Sequence, residues 1–134
     1  MRFFRVRNID HIVLRVQDMD KSLDFYTNIL GCEVAKRNEK YQMIHLRAGS
    51  AMIDIIDIKG PLGIEGGAAP ENERRNVDHF CLNIEPFDES ALIDYFKGLG
   101  MKVDRAETRY GAEGYGASIY IRDPDGNRVE LKGK

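Results

Sequence analysis

The sequence lacks any apolar run near the roughly 18 residues that a membrane span requires. Its basic start, Met1-Arg2-Phe3-Phe4-Arg5-Val6-Arg7, has neither the apolar core nor the small-residue cleavage site of a secretion signal. Cysteine is scarce: Cys32 and Cys81 are the only two in 134 residues, and they form no close-spaced motif. A disulfide framework therefore has no support, and reduced thiols in a cytoplasmic protein are expected. An excess of one charge is also missing. Twenty basic residues stand against 22 acidic ones, for a formal net charge of -2. That balance gives no footing for nucleic acid or an anionic membrane. The chain is otherwise ordinary, 43% hydrophobic and 31% charged, and long enough for one domain that buries roughly two-thirds of its unfolded surface.

What the sequence does contain is itself, twice. Arg7-Asn8-Ile9-Asp10-His11-Ile12-Val13-Leu14 matches Arg75-Asn76-Val77-Asp78-His79-Phe80-Cys81-Leu82 at an offset of 68. The match continues through Val16 and Ile84, Asp20 and Asp88, and Ser22 and Ser90. It resumes at an offset of 69 with Leu30-Gly31 against Leu99-Gly100 and Val34 against Val103. Repeat arrays need three or more short units; two long ones point to a pseudo-two-fold domain. The first module spans about 6–58, the second about 75–134, and 59–74, rich in Gly, Pro and charge, links them.

Each module reads β-α-β-β-β. Residues 9–16 and 77–84 are β-branched and apolar, as buried strands are. Asp18 or Asp20 can cap the first helix and Asp88 the second. Leu23, Tyr26 and Leu30 form an apolar stripe, repeated by Leu92, Tyr95 and Leu99. Gly31 and Gly100 sit where a left-handed residue ends a helix. Two hairpins follow: residues 42–46 and 52–58 around Ala48-Gly49-Ser50, and 117–121 and 128–131 around Asp123-Pro124-Asp125-Gly126-Asn127, whose Pro and Asp-Gly are turn chemistry. The Gly-rich stretch 110–116 reads as a mobile lid or as an exposed connection.

The repeat also pairs chemistry. A single histidine opening a buried strand is explained by a backbone carbonyl, but His11 and His79 hold equivalent places. If the modules pack about a two-fold axis, both rings face one central space. Strand alternation puts His11, Val13 and Arg15 on one face, and His79, Cys81 and Asn83 on its counterpart. Toward the end of each module Ile53-Asp54-Ile55 matches Val129-Glu130-Leu131. Both carboxylates lie between apolar neighbours, where an ionised group is costly unless paired or bound to a cation; solvation on a polar face is the alternative. Two imidazoles and two carboxylates form a mixed nitrogen–oxygen shell for one divalent ion. The set does not choose among Zn, Ni, Co, Mn and Fe(II).

These motifs resemble the vicinal-oxygen-chelate superfamily, which includes glyoxalase I, fosfomycin- and bleomycin-resistance proteins and extradiol dioxygenases. The resemblance spans nearly the whole chain. It rests on Asp10-His11-Ile12-Val13-Leu14, on Ser22-Leu23-Asp24-Phe25-Tyr26 with Leu30-Gly31, on Asp78-His79, and on Asp123–Asn127 followed by Val129-Glu130-Leu131. It implies an α+β fold in which paired modules form an open, cup-shaped sheet around a metal, and it favours a homodimer. It also implies His11, His79 and Glu130 as ligands, with Asp54 at the fourth position. Short bacterial glyoxalase-like proteins look most similar.

Three activities follow from that resemblance. The first is a lactoylglutathione-lyase-like isomerisation, in which Glu130 removes a carbon-bound proton from a small metal-chelating substrate. The second is ring-cleaving oxygenation or thiol transfer, using the two histidines and one carboxylate. The third is sequestration of a small molecule without chemistry, disfavoured by the retained histidines and Glu130. Arg15 stands where glyoxalase I enzymes have an arginine for the glutathione carboxylate. Where those enzymes have a glutamate this chain has Asp54, and where they have an asparagine four residues on it has Ile58, which cannot hydrogen-bond glutathione. His45, its counterpart Tyr120 and the nearby Arg122 are further substrate residues, as is Tyr110, which with Tyr115 can close over a ligand. The alternatives are cross-strand pairing for the first two and plain surface aromatics for the tyrosines.

Overall fold

The computed structural model describes residues 2–71 and 73–134. The chain divides into two compact units at Pro70 and Glu71. The N-terminal unit contains β1 (His11–Val16), α1 (Met19–Asp24), β2 (Glu33–Asn38), β3 (Met43–Ala48) and β4 (Ala51–Asp57). Its sheet runs β1-β4-β3-β2, with β1 parallel to β4 and the other pairs antiparallel. The C-terminal unit contains β5 (His79–Asn83), α2 (Glu89–Gly98), β6 (Glu107–Gly111), β7 (Gly114–Arg122) and β8 (Arg128–Lys132). Its order, β5-β8-β7-β6 with β5 parallel to β8, repeats the first. Two four-stranded sheets with few helices make the expected α+β fold. Among the described residues no helix is long and apolar enough to cross a membrane.

Period-two patterning builds each sheet. On β1 Leu14 and Val16 are buried while His11 and Val13 are exposed; on β8 Val129 and Leu131 are buried on one face. Tyr26 and Phe25 fill the N-terminal core with Leu46, Ile53 and Ile55. Phe96, Val103, Ile119 and Ile121 fill the C-terminal one with Val129 and Leu131. Truncating a buried aromatic such as Phe96 removes about 3–5 kcal/mol.

The helices refine the repeat. Asp18, not Asp20, caps α1 by accepting from Lys21 N, and Asp88 caps α2 by accepting from Ala91 N, each at 3.1 Å. The capping residues, and the adjacent aromatic pairs Phe25-Tyr26 and Tyr95-Phe96, therefore correspond at an offset of 70. The later Leu-Gly stops correspond at 69 because α1 runs into a π-helical turn, Phe25–Ile29, which holds one extra residue. Leu30 N donates to Phe25 O at 3.0 Å across that wider turn. The apolar stripe differs accordingly. Tyr26 is buried, but Tyr95 and Leu99 are 46% and 47% exposed, and Phe96 is the anchor of α2. Gly31 and Gly100, with φ of 86° and 82°, end the helices in the left-handed region as expected.

The stretch 110–116 is an exposed hairpin end, with Tyr110 and Tyr115 both on the surface. Tyr110 pairs with Tyr115 and Gly111 with Gly114 in the β6–β7 hairpin. Thr108, Tyr110 and Tyr115 favour strand, and the glycines confine the reversal to Ala112 and Glu113.

Candidate functional site

In the C-terminal unit the β7–β8 turn sets the geometry. Asp123 Oδ1 accepts from the backbone N–H groups of Asp125 and Asn127 at 2.9 and 2.8 Å, and its Oδ2 accepts from Asn127 Nδ2 at 2.8 Å. Asn127 Oδ1 in turn accepts from Asn76 N at 3.2 Å, which ties the turn to the segment entering β5. The Asp-Pro-Asp-Gly-Asn sequence thus locks three strands in register. That register places Glu130 opposite Tyr120 on β7 and Cys81 on β5.

Glu130 faces away from Val129 and Leu131 yet is only 5% exposed. Its Oε2 accepts from Ser118 Oγ at 2.7 Å and its Oε1 from Tyr120 OH at 3.2 Å. His79 Nε2 lies 3.2 Å from the same Oε1. Burial pushes the Glu130 carboxyl up, but the hydroxyls of Ser118 and Tyr120 and the charge of His79 outweigh it and hold the group below the usual glutamate value. Glu130 is therefore an ionised carboxylate, satisfied by hydrogen bonds. His79 is aimed from behind: its Nδ1 lies 2.7 Å from Asp78 Oδ2, and that hydrogen bond draws the Asp78 carboxyl down. A carboxylate on Nδ1 fixes the ring and presents Nε2 forward, as in metal-bound histidines. Cys81 shares this face. The residue is exposed, but its thiol is pushed up to about 12 by desolvation of the sulfur and by the charge of Glu130.

The N-terminal unit repeats the plan with a gap in it. His11 Nδ1 lies 2.6 Å from Asp10 Oδ1. The Asp10 hydrogen bond raises the His11 pKa above its ordinary value; desolvation opposes this and the charge of Asp54 adds to it. Asp54 sits opposite His45 on β3, as Glu130 sits opposite Tyr120. It is 3% exposed. Its Oδ1 is 3.0 Å from His45 Nδ1 but lacks the alignment of a hydrogen bond, so among the described residues this buried oxygen has no donor. The longer Glu130 has Ser118 and Tyr120; Asp54 has no equivalent pair.

A buried carboxylate oxygen without a donor is an atom that a cation satisfies. In each unit an imidazole and a buried carboxylate, His11 with Asp54 and His79 with Glu130, are donors of the kind a divalent transition ion takes. Among the described residues no three His, Cys, Asp or Glu side chains are gathered into a metal-binding group; the candidate donors stand as one pair in each unit.

The remaining expected residues have structural partners. Arg15 Nε donates to Gly63 O at 3.0 Å, and its terminal nitrogens donate to Gly67 O at 2.6 Å and Ala68 O at 3.2 Å. The guanidinium packs so closely on Gly66 that a Cβ there would overlap it. Arg122 Nη1 donates to Gly126 O at 2.9 Å, closing the β7–β8 turn. Tyr110 is 75% exposed, its ring centroid 5.0 Å from that of Tyr115. Tyr120 joins the Glu130 cluster, and Arg109 Nε donates to its hydroxyl at 3.2 Å.

Sequence reasoning missed the supports. Asp10 and Asp78 were visible as the residues preceding each histidine, but their role is one of contact and not of motif. Ser118 was legible only from alternation, two positions before Tyr120. Lys132, two positions beyond Glu130, is 2% exposed and donates to Gly133 O at 3.3 Å; no pattern marks a buried lysine in advance.

Comparison with known proteins agrees with the fold. Residues 8–131 match the Glyoxalase/Bleomycin resistance protein/Dioxygenase superfamily. A probable lactoylglutathione lyase of Vibrio cholerae serotype O1 is 31% identical over 129 residues, covering 90% of this chain and 86% of that protein. The metallothiol transferase FosB of Lysinibacillus sphaericus is 26% identical, covering 94% and 82%. Among solved structures, an integron cassette protein of V. cholerae superposes with a TM-score of 0.75 at 24% identity over 98% of each chain, a likeness of fold alone.

Proposed function

The chain belongs to the glyoxalase/bleomycin resistance protein/dioxygenase superfamily, and from that membership we propose that it is a divalent-metal-dependent enzyme of glyoxalase type, acting on a small substrate with oxygens on adjacent carbons. The observation that carries the reading is the state of Glu130: buried, ionised, and held by Ser118, Tyr120 and His79. In the proposal His79 and Glu130 are ligands from one unit, and His11 and Asp54 are the equivalent pair of the other. When bound, the divalent ion supplies Lewis acidity that makes a proton beside the substrate carbonyl easier to remove.

The rest of the chemistry belongs to the chain. Glu130 accepts the carbon-bound proton at a carboxylate oxygen, and being ionised through the neutral range it is in the right state to do so. Its depressed pKa makes it a modest base alone, so the acidity of the substrate proton sets the rate. Ser118 and Tyr120 keep its oxygens in place and return it to the ionised form after transfer. His11 and His79 are held by Asp10 and Asp78 with Nε2 forward, so neither ring has to reorient on binding. Ile58 at the asparagine position, and the engagement of Arg15 by three carbonyls, support a thiol partner other than glutathione, or none.

The test is turnover of methylglyoxal hemithioacetals, formed with glutathione and with smaller thiols, by metal-loaded protein. Glu130→Gln should lower kcat by roughly a hundredfold or more. Oxygen uptake with catechols, or addition of a thiol to an epoxide, in place of isomerisation would move the protein to another branch of the superfamily and refute this assignment.

A further inference from the structure

The C-terminal unit carries a feature that the Glu130 cluster does not use. A cleft of about 540 Å³ opens between the segment that follows α2 and the ends of β7 and β8. Four cations line it, Lys102, Arg105, Arg122 and Arg128, against one carboxylate, Asp104. The fold positions them simply. Arg122 and Arg128 face each other across the last rung of the β7–β8 ladder, and Lys102 and Arg105 flank the buried Val103 that pins their segment to the core. Among the described residues no carboxylate forms an ion pair with Lys102, Arg105 or Arg128. The arginine–carboxylate ion pairs of the unit lie elsewhere, between Arg74 and Glu71, Arg75 and Asp78, and Arg109 and Glu107.

Like charges gathered around a concave surface raise its potential and favour an oxyanion. Guanidinium groups match carboxylate and phosphoryl oxygens in geometry as well as charge. The volume lies in the range of small-molecule sites. The cleft also communicates with the Glu130 cluster. Tyr120 lines it, the Arg128 guanidinium stands 5.0 Å from the centroid of the Tyr120 ring, and the Tyr120 hydroxyl donates to Glu130 Oε1.

We propose that this cleft is an oxyanion subsite that binds a phosphoryl or carboxylate group of the substrate and, with Tyr120 as its shared wall, directs the reacting end toward Glu130. The proposal rests on the reading of Glu130 as the catalytic carboxylate. It adds the substrate class: a small α-oxygenated molecule carrying a phosphoryl or carboxylate group at its far end. Lys102, Arg105 and Arg128 bind that group; Arg122, which also closes the β7–β8 turn, supports it from the rim.

The test uses the whole 134-residue chain, freed of metal, titrated separately with inorganic phosphate and with succinate at ionic strength held constant by chloride. Heat of binding and the ring resonances of Tyr120 are followed together. The expected result is saturable binding of at least one of the two anions in the millimolar range or tighter, with a shift at Tyr120 that tracks occupancy. Phosphate alone identifies a phosphoryl-bearing substrate, and succinate alone a carboxylate-bearing one. Lys102→Gln and Arg105→Gln, neither of which touches the Glu130 cluster, should each weaken binding severalfold and together at least tenfold. The control Lys59→Gln should leave it unchanged. Failure of both anions to saturate, or unchanged affinity in the Lys102→Gln/Arg105→Gln double variant, overturns the subsite. Because the titration needs neither metal nor turnover, a protein inactive toward hemithioacetals that still binds the anion refutes the glyoxalase reading and not the subsite.

Discussion

Asp54→Asn separates what the buried carboxylate does for folding from what it does for function. In the native protein Asp54 is 3% exposed and its Oδ1 has no hydrogen-bond donor among the described residues. A buried polar group left unsatisfied costs about 1–3 kcal/mol, and a charged one more. Asparagine removes the charge, keeps the shape, and offers an amide N–H to the nearby Nδ1 of His45, which is 3.0 Å from the present oxygen. The metal-free variant should therefore be more stable than the metal-free wild type by about 1–3 kcal/mol. For a chain of 134 residues the entropy of unfolding makes each kcal/mol worth roughly 3–4 °C in Tm, so a rise of about 3–12 °C is expected. Divalent metal reverses the order. Wild type should gain about 2.7 kcal/mol at a metal concentration a hundred times Kd, and the variant much less, because it lacks an anionic ligand. Differential scanning calorimetry with chelator and with added Zn, Ni or Mn measures both terms. A metal-free variant that melts below wild type would refute the reasoning, since it would mean that His45 already satisfies Asp54 as an ion pair.

Ser118→Ala removes a 2.7 Å hydrogen bond to a buried charge and should cost about 1.5–3 kcal/mol by denaturant titration. Tyr120→Phe, which loses a 3.2 Å contact, should cost less. The folded-state pKa of Glu130 is depressed, so its stabilisation is present above the unfolded value and lost as pH falls through the lower folded one. Stability measured downward from pH 6 should thus decline below about 4.5, the ordinary glutamate value, and the decline should be shallower in Ser118→Ala. Asp88→Ala removes the cap of α2 and should cost about 1 kcal/mol in the same titration. Cys81, exposed but with its thiol pushed up to about 12, should alkylate with iodoacetamide at pH 8 more slowly than a free cysteine by on the order of a hundredfold or more; labelling at the free-thiol rate would contradict the placement of Glu130 beside it.

Much of this was legible because the chain states its plan twice. His11 with His79, and Asp54 with Glu130, were paired by offset alone, and strand alternation put His11 and His79 on matching faces. The helix stops at Gly31 and Gly100 followed from their conformational freedom. What stayed hidden depends on one residue more or less, or on contact. The π-helical turn at Phe25–Ile29 shifts the register of the first helix by one position, so matching by identity paired Tyr95 with Tyr26 where the structure uses Phe96; of the two caps the sequence allows, Asp18 is the one used. Arg15 read as a substrate residue because it stands where glyoxalase I enzymes have an arginine for the glutathione carboxylate. Only the folded loop at 63–68 supplies the three carbonyls that hold it. The cationic cleft draws on residues between 102 and 128, which no spacing rule joins.

The central claim is that the repeated His and carboxylate residues hold a metal ion, and metal content of the purified chain tests it most directly. Wild-type protein equilibrated with divalent ions and passed free of excess should retain a stoichiometric amount by elemental analysis. His79→Ala and Glu130→Ala should retain little, while circular dichroism shows them folded. Stoichiometric metal in both variants, or none in the wild type, would contradict the account.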